Sequence, residues 1–297
     1  MKEDLLHVEA TNGCVLKINR PNMTRDGMEQ RLDALINFSE NAAIWFNKLG
    51  YKDISFAVQI HDQSPREICF RFDAPLIDDG KGPLIPDPYA LMTRGFESIR
   101  TQLKELPDWQ LRIPLAIWRG SSTGIKNVSK NNIDSLPRYK LCKLSKKFPG
   151  LLDARLISVV QVYNQEEKLS IENELKEKNM FAAGVHPFNL SLHKWQIDID
   201  GNVNSWGLLW KLLSGCCILR VRSKRQQWYH KYIKPWIHYI PIAPDLSDLK
   251  EKLEWCKENT FLCYSIANEG RTAALDVVSK MDEAQKQAVT IYSKTWL

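Results

Sequence analysis

The chain has 297 residues, 44% hydrophobic and 26% charged, an ordinary globular mixture for one large or two medium domains, with no low-complexity tract. A formal charge of +6 suits an anionic ligand or surface and falls short of what alone argues for nucleic acid. No apolar run reaches bilayer-spanning length, and the opening M-K-E-D-L-L-H-V-E-A lacks a signal-peptide apolar region. Seven scattered cysteines without C-x-x-C spacing read as reduced, buried thiols, so the expected compartment is the cytoplasm.

Residues 8–18 read as one or two short strands around the Asn12-Gly13 turn. From Thr24 to Leu49, Met28, Leu32, Leu35, Ile36, Ala43 and Phe46 recur at helical spacing, and Gly50 closes the helix. Residues 54–60 form a strand ending at His61-Asp62, followed by Pro-rich sequence, a second strand near 68–72, a loop at 78–88 and a helix over 89–106. Asp108 to Arg112 reads as a boundary. Beyond it the pattern is strand 114–118, helix 136–147, a strand within 151–160 and an exposed helix over 166–178. Then come strand 194–199, the Asp200-Gly201 turn, helix 205–213, strand 217–221, helix 246–258 and a helical tail from Thr260. Strands alternating with helices argue for parallel sheets covered by helices. The expectation is an α/β protein of two Rossmann-like domains, 1–112 and 113–272, with parallel sheets facing across a cleft and a last helix, 273–297, packing back on the first domain.

The chemistry concentrates in L-A-I-W-R-G-S-S-T-G, residues 115–124. A buried strand runs into a loop in which Gly120, Ser121, Ser122 and Thr123 offer backbone and hydroxyl groups to phosphate, and Arg119 offers a permanent bidentate charge, with a surface salt bridge as its alternative use. A second strand–loop–helix unit follows at 194–220. Asp62 sits at a strand's C-terminal end, where ligands bind in open α/β sheets; its alternative is a turn-forming Asp before Ser64-Pro65. Asp198 and Asp200 form a D-x-D spacing that is read as structural, with no metal required. His238 is expected to be a structural or supporting residue rather than a base, and Asp153 to orient a neighbour rather than react. The basic and aromatic stretch 220–234 offers either contact with an anionic membrane or phosphorylated glycolipid, or a solvated loop with a partly buried aromatic face.

The pieces, in their order, resemble the CAP10-type glycosyltransferases, glycosyltransferase family 90. They are His61-Asp62, L-I-P-D-P-Y at 84–89, W-R-G-S-S-T-G at 118–124, R-Y-K-L-C-K-L-S at 138–145, P-G-L-L-D-A at 149–154, K-W-Q-I-D-I-D-G at 194–201, N-S-W at 204–206, L-L-S-G at 212–215, P-W-I-H-Y-I-P-I at 235–242, D-L-S-D-L at 245–249 and I-A-N-E-G at 266–270. The resemblance implies a GT-B architecture and inverting transfer from a UDP-sugar to a glycan, lipopolysaccharide-type or protein acceptor. It implies no obligatory metal or cofactor, and peripheral placement at the inner membrane face is compatible with it. Asp62 matches the catalytic base. Arg119 to Thr123 matches the donor-binding arginine motif, Arg138 the following helix arginine, and Ser205 and Trp206 further donor contacts, the indole stacking on uracil. Relatives carry S-F-R where this chain has Ser205-Trp206-Gly207, so a diphosphate arginine is absent, and Lys211 is the candidate to replace its charge. The alternatives are a protein O-glycosyltransferase, a binding module without catalysis and, from another class, a basic RNA binder. The last lacks any nucleic-acid motif.

Overall fold

The computed structural model describes residues 5–19, 28–62, 65, 67–77 and 79–297. In chain order the strands are β1 (Leu5–Thr11), β2 (Cys14–Asn19), β3 (Asp53–Gln59), β4 (Ala74–Pro75), β5 (Ile113–Ser121), β6 (Leu152–Ser158), β7 (His193–Asp198), β8 (Cys217–Val221), β9 (Arg225–Gln226) and β10 (Ile240–Ile242). The helices are α1 (Met28–Lys48), α2 (Pro88–Met92), α3 (Glu97–Gln102), α4 (Pro137–Lys147), α5 (Gln165–Glu177), α6 (Pro187–Leu190), α7 (Leu208–Leu213), α8 (Leu249–Glu258), α9 (Thr260–Ser279) and α10 (Met281–Trp296). The expected start of the first helix at Thr24 lies outside the described residues.

The chain forms two compact units: Met1–Glu97 with Lys224–Lys231 and Asp276–Leu297, and Ser98–Ser223 with Tyr232–Leu275. The division falls at Glu97 rather than after Arg112, and a short return segment joins the first unit through the β4–β9 pair. The helix expected over 89–106 is broken because Arg94, Gly95 and Phe96 take φ of 49°, 65° and 62°, left-handed conformations that an α-helix does not contain.

In the first unit the sheet order is β2-β1-β3, and both pairings are antiparallel. This corrects the expectation of a parallel, Rossmann-like sheet here. Asn12 and Gly13, at φ 50° and 79°, make the tight left-handed turn that joins neighbouring strands only head-to-tail. The strand expected near 68–72 is reduced to isolated bridges, Val58 with Phe70 and Arg71 with Leu84. Apolar residues spaced along α1 put Leu35, Phe38 and Phe46 against Phe56 and Phe70. The last helix supplies Tyr292, stacked on Phe70 at 4.7 Å between ring centroids.

Asp87 caps α2 by accepting from the Ala90 amide at 3.0 Å. Burial pushes its carboxyl up to about 7, against the backbone hydrogen bonds and the Arg31 charge that favour ionisation. In an unfolded chain the group ionises near ~3.9. Between those values the folded state keeps a proton that the unfolded state has released, so stability falls as the pH rises through this window. Asparagine caps as well as aspartate and does not titrate. Asp87→Asn is therefore expected to match the wild type near pH 4 and to exceed it by roughly 2–4 kcal/mol at pH 8. Melting temperatures of both proteins measured across that range test this; a constant difference at every pH would refute it.

The second unit holds the five-stranded sheet β10-β8-β7-β5-β6, parallel throughout. Counted along the chain, its strands lie in the order 2-1-3-4-5 of a doubly wound α/β sheet. The interior strand β8 is buried at all of its positions, apolar but for Arg220, as expected when helices cover both faces. Trp195 and Ile197 of β7, Leu219 of β8 and Ala116 of β5 form the core with Leu136 and Leu141 beside and along α4. In this unit the α/β class and the parallel sheet are as the alternation predicts.

Candidate functional site

Strand order reverses between β5 and β7. Loops leaving their C-terminal ends diverge to opposite faces and leave a crevice, the usual ligand position in such sheets. The glycine- and hydroxyl-rich loop after β5 and the Asp/Asn-rich loop after β7 both sit here.

Arg138, in the first turn of α4, ties the two strand ends together. Its Nη1 donates to the carbonyl of Ser121, the last residue of β5, at 3.0 Å and to Thr123 Oγ1, just beyond it, at 2.6 Å. Its Nε donates to the Asp200 carbonyl at 2.9 Å and its Nη2 to the Ile199 carbonyl at 3.2 Å, beyond β7. The guanidinium also lies 5.7 Å from the centre of the Trp118 ring. A cation at a helix N-terminus opposes the helix dipole; here carbonyl oxygens supply the compensating partial charge. Gly201 makes the approach possible, because a Cβ there would lie 2.3 Å from Thr123 Oγ1 and 2.9 Å from Arg138 Nη2. The Gly124 amide completes the stitch by donating to Asn202 Oδ1 at 3.0 Å. Gly120 packs under Trp118, where a Cβ would meet Cζ2 at 2.5 Å.

The loop after β7 is organised around the Asp200 carboxylate. It accepts from the Ser205 amide at 3.2 Å and the Ser223 hydroxyl at 2.5 Å, and Ser223 in turn accepts from Asn204 Nδ2 at 3.1 Å. Burial raises the Asp200 carboxyl above its ordinary range, the Ser223 hydrogen bond works against that, and the Asp198 charge adds to it. Asn202 and Ser223 escape the motif reading. The signal for Asn202 is the density of Asp, Asn, Gly and Ser in D-I-D-G-N-V-N-S, a composition that makes side-chain-to-backbone turns; Ser223 carries none.

The other expected residues divide. Ser122 is buried and spent on the segment after β6: its hydroxyl donates to the Val160 carbonyl at 3.1 Å and accepts from the Val160 amide at 2.8 Å. No hydrogen bond engages the Ser121 or Ser205 hydroxyl among the described residues, and Ser205 and Trp206 are half-buried. Arg119 turns away from the crevice. Its Nη2 donates to Asp153 Oδ2 at 2.7 Å and its Nη1 to the Asp153 and Trp118 carbonyls, each at 2.8 Å. Asp153 is the second residue of β6 and the register partner of Ile117, so the guanidinium points toward the N-terminal end of the sheet. Burial raises the Asp153 carboxyl, but the hydrogen bond and charge of Arg119, with Arg155, hold it below its usual range. The geometry is a salt bridge rather than the phosphate clamp expected of Arg119.

Lys211 does not replace the missing arginine. It is buried and donates to Asp198 Oδ1 at 2.8 Å and to the Ile197 carbonyl at 3.1 Å. Gly207 packs on it, with a Cβ there meeting Lys211 Cε at 3.3 Å. In segment 220–234 Trp228 and Tyr229 are buried, Arg220 lies over the Tyr239 ring and Arg225 pairs with buried Asp73, whereas Arg222, Lys224, Lys231 and Lys234 are exposed. No helix of the described residues is long and apolar enough to cross a membrane. His238 accepts from the Lys234 amide at 2.7 Å within its turn.

Asp62 lies in the first unit, in the bend after β3, with 28% of its side chain exposed. Arg31 of α1 donates to Asp62 Oδ1 at 3.4 Å and to the Ile60 carbonyl at 2.8 Å.

Residues 92–291 match glycosyl transferase family 90, and the chain belongs to that family. It is 33% identical over 181 residues to the uncharacterized protein 179R of Invertebrate iridescent virus 6, covering 54% of this chain and 15% of the viral protein. It is 33% identical over 141 residues to the human protein O-glucosyltransferase 3, covering 48% of this chain and 26% of that enzyme. The chain thus spans well under half the length of these two relatives. Among solved structures, Anabaena HepE in complex with UDP-glucose aligns with a TM-score of 0.42 and 11% identity over 67% of this chain and 53% of that one.

Proposed function

We propose that this chain is an inverting glycosyltransferase that moves a sugar from a UDP-sugar to a hydroxyl, with Asp62 as the general base. The observation that carries the donor half is the crevice at the ends of β5 and β7. There Arg138 fixes two loops that carry the Ser121 and Ser205 hydroxyls at the strand ends, the usual ligand position of such a sheet. The leaving diphosphate is stabilised by those donors and by the N-terminus of α4, which has no side-chain cap. Arg138 serves this site by holding its walls. Trp206 stacks on the uracil ring. No metal is needed in this reading. Asp62, partly exposed in the bend after a strand, accepts the acceptor's proton as oxygen attacks the anomeric carbon and the bond to UDP breaks.

The acceptor is a glycan or lipopolysaccharide-type hydroxyl. A protein hydroxyl is the second reading, favoured by the identity to a protein O-glucosyltransferase. The test is a panel of UDP-sugars, with thermal stabilisation and UDP release measured in parallel. UDP and one UDP-sugar are expected to raise the melting temperature by an amount that grows with concentration, and that sugar nucleotide is expected to turn over. Stabilisation without turnover would identify a binding module instead. Indifference to every sugar nucleotide would remove the reading altogether.

A further inference from the structure

We propose that Arg31 is a positioning residue that acts through Asp62, holding its carboxylate in the orientation a general base needs; the inference rests on the reading of Asp62 as that base. The bend at 60–62 lies beyond the end of β3, where ladder hydrogen bonds no longer hold the backbone. Two side chains take over. Gln59 Nε2 donates to the His61 carbonyl at 2.9 Å, and Arg31 Nη1 donates to the carbonyl of fully buried Ile60 at 2.8 Å. The same Arg31 nitrogen reaches Asp62 Oδ1 at 3.4 Å. Anchor and carboxylate are therefore tied through one planar group, whose orientation the Ile60 carbonyl sets.

The burial pattern separates this contact from an ordinary surface ion pair. Arg31 is 16% exposed and Asp62 28%, so the cation is largely sheltered while the carboxylate keeps one side to solvent, where an acceptor hydroxyl approaches. Arg31 sits on α1 beside Leu32 and Leu35, which pack into the unit's core. The helix cannot slide without disturbing that core, so the guanidinium has a fixed base. Asp87 is the further carboxylate whose charge Arg31 feels. It caps α2 and is fully buried, leaving Asp62 as the member of the trio that can meet a substrate.

The experiment compares Arg31→Met, Arg31→Lys, Asp62→Asn and the double variant Arg31→Met/Asp62→Asn, with UDP-glucose as donor and UDP release as readout. Arg31→Met is expected to lower kcat about 10- to 100-fold, the cost of a misplaced catalytic group, with the KM for UDP-glucose unchanged. Arg31→Lys is expected to recover part of the loss. The double variant is expected to be no slower than Asp62→Asn, because the two residues act as a unit. Three results would overturn the proposal: a normal kcat in Arg31→Met beside an inactive Asp62→Asn, losses that multiply in the double variant, or equal impairment of the Lys and Met variants accompanied by a lowered melting temperature. Near-wild-type turnover in Asp62→Asn would sink the base assignment itself and this inference with it.

Discussion

Asp62→Asn is expected to lower kcat by about 100- to 10,000-fold, the usual range for a lost general base, while the Kd for UDP stays at the wild-type value. The substitution keeps the size of the side chain and the oxygen that Arg31 approaches at 3.4 Å, and it removes the ability to take a proton. The bend should survive, because its anchors are Arg31 on the Ile60 carbonyl and Gln59 on the His61 carbonyl. The crevice at the ends of β5 and β7 belongs to the second unit, so UDP binding should not notice the change. Single-turnover transfer and calorimetric titration with UDP separate the two quantities. A variant that transfers sugar at the wild-type rate would show that another group accepts the proton. A variant that loses UDP affinity would move Asp62 from chemistry to binding.

Arg138→Met is expected to lower the melting temperature and weaken UDP binding by tenfold or more. Its guanidinium donates to three carbonyls and one hydroxyl across the two strand ends. Hydrogen bonds from a charged group contribute about 1.5–3 kcal/mol each at best, and the carbonyls left behind are half-resolvated. A net loss of about 2–4 kcal/mol follows, and each kcal/mol lowers Tm by about 2–4 °C in a protein of this size. Arg138→Lys should restore little, since a single ammonium cannot span both loops in the fork geometry. Gly201→Ala attacks the same strut from its other side: the new methyl would sit 2.3 Å from Thr123 Oγ1 and 2.9 Å from Arg138 Nη2, so it should reproduce the UDP defect while every charge remains. Arg138→Met with normal stability and normal UDP affinity would show that the loops hold themselves.

These two predictions place the charges differently from the motif reading. W-R-G-S-S-T-G draws attention to Arg119 because that residue abuts the phosphate-friendly loop in sequence. Side chains alternate along a strand, however, and a long one can turn back along it. Arg119 does so and meets Asp153, 34 residues away. Arg138 is the arginine that reaches the loop, from the helix that follows it. The lysine one turn beyond Gly207 is likewise captured, by an aspartate two residues before the D-G turn. In both cases burial decides the matter: a charge removed from water needs an opposite charge close by, and the nearest carboxylate takes it.

The alternation of apolar strands with helices from residue 113 onward was enough to define a helix-covered parallel sheet, and Asn12-Gly13 was enough to place a turn among short strands at the start. Both are local signals: periodicity and turn chemistry act over two to four residues, which a chain carries wherever it folds. The position of Asp62 at the end of a strand is legible for the same reason. Tertiary structure alone decided that β3 returns antiparallel beside β1, that Trp228 and Tyr229 are core residues rather than a surface stripe, and which partner each arginine and lysine takes. Those outcomes depend on groups far apart in the chain, 62 residues in the case of Arg138 and the Asp200 carbonyl. They are set by competition for burial and for hydrogen bonds among segments that meet only once the chain has folded.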